Sequence, residues 1–443
     1  MEWDSLLNPG RLCRPDYAES PGRPAYLQDY DRILFSQPFR RLAQKTQVHP
    51  LYHHDHLHHR MIHSMETSSV GRSLGIAVGQ RLVDAGKLAE GQQHVIAGVV
   101  QAACLMHDIG NPPFGHSGEA SIGEWFADLF AADADLAAGI GARQREFTEF
   151  EGNAQGFRIA AALEMGRQPG GMQLSYATLG AFMKYPCTAQ TTGTAPYVGL
   201  KKFGVFAAEA PLFAEVAAAL GLPGEGTGAT RWWRRHPLAY LVEAADDICY
   251  RILDLEDAAT IGDLTADQAI EILDRIAPAK RAVDPAMTAQ EQVALRRAMA
   301  IGAAIGAAVD AFMDHYDAIM DGSFSDGLME VSAKAEAFAD LKDISNKRIF
   351  TARRKTELEI AGRQVLHDLL DQLHALFRAL KAVDWQPEEL GGVYWPKLLR
   401  ATDIDLRGVT DDYSALHALA DFVSGMTDRY AVSTRDMIAG RVG

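Results

Sequence analysis

Apolar positions recur at three- and four-residue intervals along almost the whole chain, and strand-like alternation is scarce. This spacing predicts an all-α protein. One or two short helices fall within residues 30–48, interrupted near Pro38, and a long helix spans 61–86 with Gly86 as its C-terminal cap. Further helices are predicted over 91–110, 117–132, 151–165 and 236–258. Ser121-x-x-Glu124 resembles a capping box, and Pro237 suits the first turn of its helix. The second half continues with long amphipathic stretches at 288–322, 354–383 and 412–440. The Gly/Thr/Pro-rich segments 188–204 and 221–237 read as loops near a ligand or an interface.

Within this helical pattern one segment, "ACLMHDIGNPPFGHSGE" (Ala103 to Glu119), cannot be regular helix. His107 and Asp108 close an apolar helix. The two prolines then force a turn, because proline lacks an N–H and the residue before it avoids helical geometry. His116 and Glu119 emerge beyond the turn, so four ligand-type side chains fall in one small region. Imidazole with carboxylate suits Mn, Fe, Co, Ni or Zn, Mg being less natural for a His-rich shell. Further ligands must come from elsewhere, and the candidates are His63 and either Asp246 or Asp247. On the same predicted helix Asp246, Tyr250, Asp254 and Asp257 share one face. The histidine run "HHDHLHHRMIH" reads as an adventitious metal-binding surface or a solvated stretch.

Composition sharpens this picture. The 443 residues carry a net charge of -15, which argues against a general nucleic-acid or membrane-surface binder. An acidic protein that handles an anion must concentrate metal or basic groups locally. The N-terminus lacks the apolar core of a signal peptide, and no apolar run reads as long enough to span a membrane, so the expected location is cytoplasmic. Four cysteines lack any CxxC spacing, and Cys104 and Cys249 lie in apolar helical patterns as buried residues.

The order His…His-Asp…Asp resembles the HD phosphohydrolase superfamily, and the details resemble its deoxynucleoside triphosphate triphosphohydrolases, in particular the bacterial dGTPases. The matching segments are "DRILFSQPFRRLAQKTQVHPL", "HSMETSSVGRSLG", "HDIGNPPFGHSGE", "FEGNAQGFRI", "MKYP" and "HPLAYLVEAADDICYRILDLED". They run in the family's order from about residue 30 to 257, with weaker similarity in "IFTARRKTELEIAG". The resemblance implies that His63, His107, Asp108 and Asp246 ligate one divalent metal (Mn, Mg, Fe, Co or Ni), Asp246 being preferred to Asp247 by the family's Ala-Asp-acid-Ile pattern. It makes His116 and Glu119 the catalytic pair. Gln47 would contact the sugar 3′-hydroxyl, Tyr250 would pack on the deoxyribose and exclude a 2′-hydroxyl, and Asp254 would help hold the sugar. Lys184 and Tyr185 would hold phosphates, and Asn153 and Gln155 would lie near the site. Many members have His where this chain has Gly152; the dGTPases share the glycine.

The resemblance further implies an HD-domain helical core over residues 1–275 and a C-terminal helical region, 276–443, packed on it and serving oligomerisation or regulation. The expected partners are a dNTP substrate and further copies of the chain, as a hexamer or tetramer, with a nucleotide or single-stranded DNA as regulator and no membrane. The basic runs "RWWRRHP" and "NKRIFTARRKTE" are either base-stacking surfaces or solvated and intersubunit faces. The expected activity is hydrolysis of dNTPs, most of all dGTP, to deoxynucleoside and tripolyphosphate. The rival readings are another HD nucleotidase or phosphodiesterase, and a non-catalytic nucleotide- or DNA-binding regulator.

Overall fold

The structure, a computed structural model, describes residues 1–47, 59–278, 284, 286–349 and 353–441. Its described residues are mainly helical, and their one sheet is an antiparallel pair in which Gly224–Glu225 meets Trp232–Trp233 inside the segment expected to be loop. The helices that frame the cleft are α1 (Arg60–Asp84), α2 (Gln92–Met106), α3 (Gly115–Ala132), α4 (Gly152–Arg158) and α5 (Pro237–Ile261). They are joined by α6 (Ala289–Asp314), α7 (Arg353–Lys381), α8 (Asp412–Ser424) and α9 (Asp428–Ile438).

Small residues set the central packing. Gly71, Gly75 and Gly79 recur every four residues on α1 and form one stripe. A Cβ at Gly75 would sit 2.7 Å from Ala97 Cα, and one at Gly79 would sit 2.7 Å from Gln93 Cα. The stripe therefore lets α1 and α2 touch backbone to backbone. Cys104 packs against Gly71 and, like Cys249, is buried as a free thiol. The long α5 lies across α1 and α2, and α6 covers α1 and α5. At the other side α7 packs on α3, and α8 and α9 pack on α7.

Helix ends follow local chemistry, with corrections to the expected ones. The Ala25–Leu34 helix stops before Ser36, which caps Gln37–Arg41 and leaves Pro38 in its first turn. Gly86, with φ +69, ends α1 as expected. Ser121 and Glu124 do not cap a helix, because α3 already begins at Gly115. Ser121 Oγ donates to Ser117 O, and Glu124 pairs with Arg363 of α7 at 2.8 Å. Helix α6 is long and apolar enough to cross a membrane by length and composition, contrary to the expectation that no run is. Its hydropathy comes from alanines and isoleucines. It packs on α1 and α5, and its Arg296 and Arg297 pair with Asp274 and Glu256.

Candidate functional site

A cleft of about 220 Å³ opens where α1, α5 and the turn between α2 and α3 converge. The turn makes the site possible. After α2 ends at Met106, Asp108 through Phe114 reverse the chain, and Phe114 takes the left-handed conformation at φ +63 immediately before Gly115 starts α3. His107 and Asp108 thus stand on one side of the turn, and His116 and Glu119 on the first turn of α3.

His63 comes from the first turn of α1 and Asp246 from the middle of α5. Asp246 Oδ1 lies 3.1 Å from His63 Nε2 and 3.4 Å from His107 Nε2. The ligand atoms of His63, His107 and Asp108 all lie within 4.8 Å of one another. His107 Nδ1 is 2.7 Å from Cys104 O, so this nitrogen carries the proton. Its buried Nε2 has no hydrogen-bond partner, and its lone pair is directed at the carboxylates. A ligating imidazole has this arrangement, with its far nitrogen fixed by a carbonyl. The donor set of two imidazoles and two carboxylates therefore fits a divalent transition metal. Asp247 also borders the cleft, but its Oδ1 pairs with Arg251 one turn on at 3.0 Å, whereas Asp246 meets the histidines.

The electrostatics keep the carboxylates charged. Burial alone would raise the Asp108 carboxyl, but Arg60, 2.6 Å away, and then His107 and His63 hold it well below the usual range. Asp246 is depressed likewise: Lys184, at 2.7 Å, and His107 overcome its burial. His116 is exposed at the cleft mouth. Desolvation by the walls, with the Arg60 and Lys202 charges, lowers its proton affinity. Glu119 is raised by burial, against the pull of Lys202 and of the Gly152 N–H, which donates to Oε1 at 2.8 Å. Gly152 has a physical reason to be glycine, since a Cβ there would meet Asn111 Oδ1 at 2.3 Å and Glu119 Oε1 at 2.6 Å. A histidine at that place would displace the carboxylate.

Gln47, Asn153, Lys184, Tyr185 and Tyr250 also line the cleft. Gln47 Oε1 is buried there without a hydrogen-bond partner. Tyr250 stands edge-on to His63 with ring centres 6.4 Å apart. Two expected residues lie outside the lining. Gln155 Nε2 turns away to Asp421 of α8 at 2.8 Å. Asp254 is buried one turn beyond Tyr250, where its charge acts on Tyr250 and Lys355. The sequence reading missed Arg60, Asn111 and Lys202 in the lining. Arg60 had a signal, standing three residues before His63 and so on its face of α1. Lys202 lies in the glycine-flanked loop 188–204 and pairs with Glu151 at 2.8 Å.

The basic run "RWWRRHP" is no base-stacking surface. Trp232 and Trp233 are buried, and Arg235 is wholly enclosed behind the cleft, where it grips Glu243 at 2.6 and 3.2 Å and donates Nε–H to Lys184 O at 2.6 Å. Residues 350–352 of "NKRIFTARRKTE" and the histidines at 53–58 lie outside the described residues.

Comparison with known proteins agrees with this geometry. The HD domain family matches residues 60–164, and the phosphohydrolase-associated domain matches 328–436. A deoxyguanosinetriphosphate triphosphohydrolase-like protein of Pseudomonas aeruginosa is 39% identical, covering 100% of this chain and 99% of its own length. A protein of the same description from Synechocystis sp. is 37% identical over 99% of each chain. The deoxyguanosinetriphosphate triphosphohydrolase of Klebsiella pneumoniae is 29% identical over 91% of each. With full-length similarity at this level, and with the HD motif folded into a buried ligand cluster, the chain belongs to the dGTP triphosphohydrolase-like family of HD-domain proteins.

Proposed function

We propose that this protein hydrolyses deoxynucleoside triphosphates, dGTP foremost, to deoxynucleoside and tripolyphosphate. The observation that carries this reading is the single cleft in which the His63–His107–Asp108–Asp246 cluster faces His116, Glu119 and Tyr250. The relatives' names supply the substrate class.

One divalent cation, Mn, Mg, Fe, Co or Ni, would be held by those four side chains and would supply Lewis acidity toward an α-phosphate oxygen. The protein's own groups do the rest. Lys184, Lys202 and Arg60 offset the triphosphate charge that an acidic chain would otherwise repel. Tyr185 stands beside Lys184 on the phosphate side, and Asn153 borders the same wall. Water attacks the α-phosphorus and the bond from phosphorus to the sugar 5′-oxygen breaks. His116, neutral at physiological pH, takes a proton from water and returns one to the leaving 5′-oxygen, while Glu119 orients it. A positioned acid–base group of this kind contributes roughly 10²–10⁴-fold in rate. Gln47 Oε1 accepts the sugar 3′-hydroxyl, and the Tyr250 ring fills the space a 2′-hydroxyl would need. The reading includes a cytoplasmic homo-oligomer, tetramer or hexamer, which light scattering would size.

The test is a product assay with each dNTP and NTP in Mn²⁺, separating nucleosides from phosphates. Deoxyguanosine with intact tripolyphosphate is expected. Diphosphate or monophosphate would place the protein among other HD phosphohydrolases, and absence of product from any nucleotide would favour a nucleotide-binding regulator. His116→Ala should keep its metal and lose turnover; wild-type turnover would remove His116 from the mechanism.

A further inference from the structure

Two backbone amides in segments that border the cleft are held by one carboxylate distant in the chain. Asp428 Oδ1 accepts the Phe114 N–H at 3.1 Å, and its Oδ2 accepts both the Thr46 N–H at 3.1 Å and the Thr46 hydroxyl. Asp428 is 3% exposed. Its oxygens do not cap its own helix, because Thr427 Oγ1 accepts the Tyr430 N–H in that role. Lys45 reinforces the same junction: its Nζ donates to Asn111 O at 2.6 Å and to Ser424 O at 2.7 Å. The corner between α8 and α9 therefore grips both the 45–47 segment and the 111–114 turn.

These segments carry different parts of the chemistry. Thr46 immediately precedes Gln47, which lines the cleft and whose buried Oε1 has no hydrogen-bond partner. Phe114 immediately precedes α3, which presents His116 and Glu119. Phe114 is also held at φ +63, a conformation that side-chain-bearing residues rarely adopt without an external restraint. The bond from Asp428 Oδ1 to the Phe114 N–H is such a restraint.

We propose that Asp428 is a positioning residue that sets the distance between the sugar-reading side chain, Gln47, and the acid–base pair, His116 and Glu119. Through it the C-terminal region governs the selectivity of the cleft. The inference rests on the functional reading given above.

Its test compares Asp428→Asn, Asp428→Glu and Thr46→Val with wild type. The assay measures kcat and KM for a 2′-deoxynucleoside triphosphate and its 2′,3′-dideoxy counterpart, manganese content, and amide hydrogen exchange. Asparagine can accept at only one oxygen, so one of the two segments is released. Displacements of about 1 Å can cost on the order of 100-fold in rate. Asp428→Asn should thus lower kcat by roughly 10- to 100-fold. It should reduce the deoxy-over-dideoxy preference by about tenfold, because the Gln47 contact is the one displaced. Exchange should accelerate by about tenfold or more at residues 46–47 and 114–115 only, with manganese content unchanged. Thr46→Val should reduce the preference in the same direction, and Asp428→Glu should restore part of it. Equal losses on both substrates, with exchange raised across the whole core, would make Asp428 merely structural and overturn the proposal. Preference and local exchange both within twofold of wild type would overturn it as well. If wild type hydrolyses neither nucleotide, the functional reading fails separately. Faster exchange confined to these two segments would still support the tie through Asp428, and unchanged exchange would refute it.

Discussion

Arg235→Met should separate stability from phosphate binding at the back of the cleft. The Arg235 side chain is 0% exposed and Glu243 is 19% exposed. Its guanidinium makes two bonds to Glu243 and one to the Lys184 carbonyl. Removing one partner of a buried pair strands the other, at a cost of about 3–5 kcal/mol. Glu243 keeps some access to water and lies in the field of Lys184, so the lower end, about 3 kcal/mol, is expected. That is a large part of the 5–15 kcal/mol typical of a folded domain. Glu243→Leu added to Arg235→Met removes the stranded charge and should recover roughly 2 kcal/mol, since apolar replacement of a buried pair is often neutral. Function should not recover with it. Lys184 loses the donor that anchors its backbone in both variants, so inhibition by tripolyphosphate should stay weak. Denaturant unfolding of the four proteins of the double-mutant cycle, with tripolyphosphate titrations, reads both quantities. A single-variant cost below about 1 kcal/mol, or a double variant no more stable than Arg235→Met, would refute the reasoning.

Three other predictions follow from the same geometry. Manganese at a hundred times its dissociation constant should stabilise the wild type by about 2.7 kcal/mol. His107→Ala should abolish that gain in a thermal-shift titration, and a retained gain would move the metal elsewhere. Tyr250→Ala should raise the GTP-to-dGTP ratio of kcat/KM by roughly tenfold, in line with the 1–3 kcal/mol of a filled steric contact; an unchanged ratio would end the steric-gate reading. His236 donates Nε2–H to Leu6 O at 3.0 Å and accepts the Leu238 N–H at Nδ1 at 3.0 Å, so a second proton has no acceptor. Burial lowers its proton affinity to about 4. The unfolded chain therefore binds the proton first as pH falls below about 6.5. Stability is full above that pH and should fall by roughly 3 kcal/mol toward pH 4, a slope that His236→Gln should flatten in acid unfolding curves.

His107, Asp108, His116 and Glu119 were legible together because a His-Asp pair at a helix end and a proline turn leave little freedom, whereas His63 and Asp246, 183 residues apart, were placed by the family resemblance. The failures have geometric causes. Asn153 and Gln155 are two residues apart on α4, roughly 200° around the helix axis, so both cannot face the cleft. Asp254 shares a face with Tyr250 but sits about 6 Å further along α5, beyond the lining. In "RWWRRHP" the charge pattern implied a surface, yet the flanking tryptophans pair with Gly224–Glu225 and draw Arg235 inward. Lys202 gave only a loop signal, since its pairing with Glu151 joins positions 51 residues apart. Asp428 gave none, because its contacts lie 314 and 382 residues back in the chain.

The pairing of Arg158 with Asp421 also bears on how the protein is made. The two residues are 263 positions apart, and Arg158 meets Asp421 through both of its oxygens. At roughly 5–20 residues per second, a ribosome needs on the order of 13–50 s to travel between them. Throughout that interval Arg158 and Lys45 lack the oxygens that hold them at α8. The residues that line the cleft are all made early, but Lys45 and Arg158 gain their contacts with α8 only as synthesis nears its end. Translation that stops short of α8 therefore yields a chain whose Lys45 and Arg158 lack those contacts.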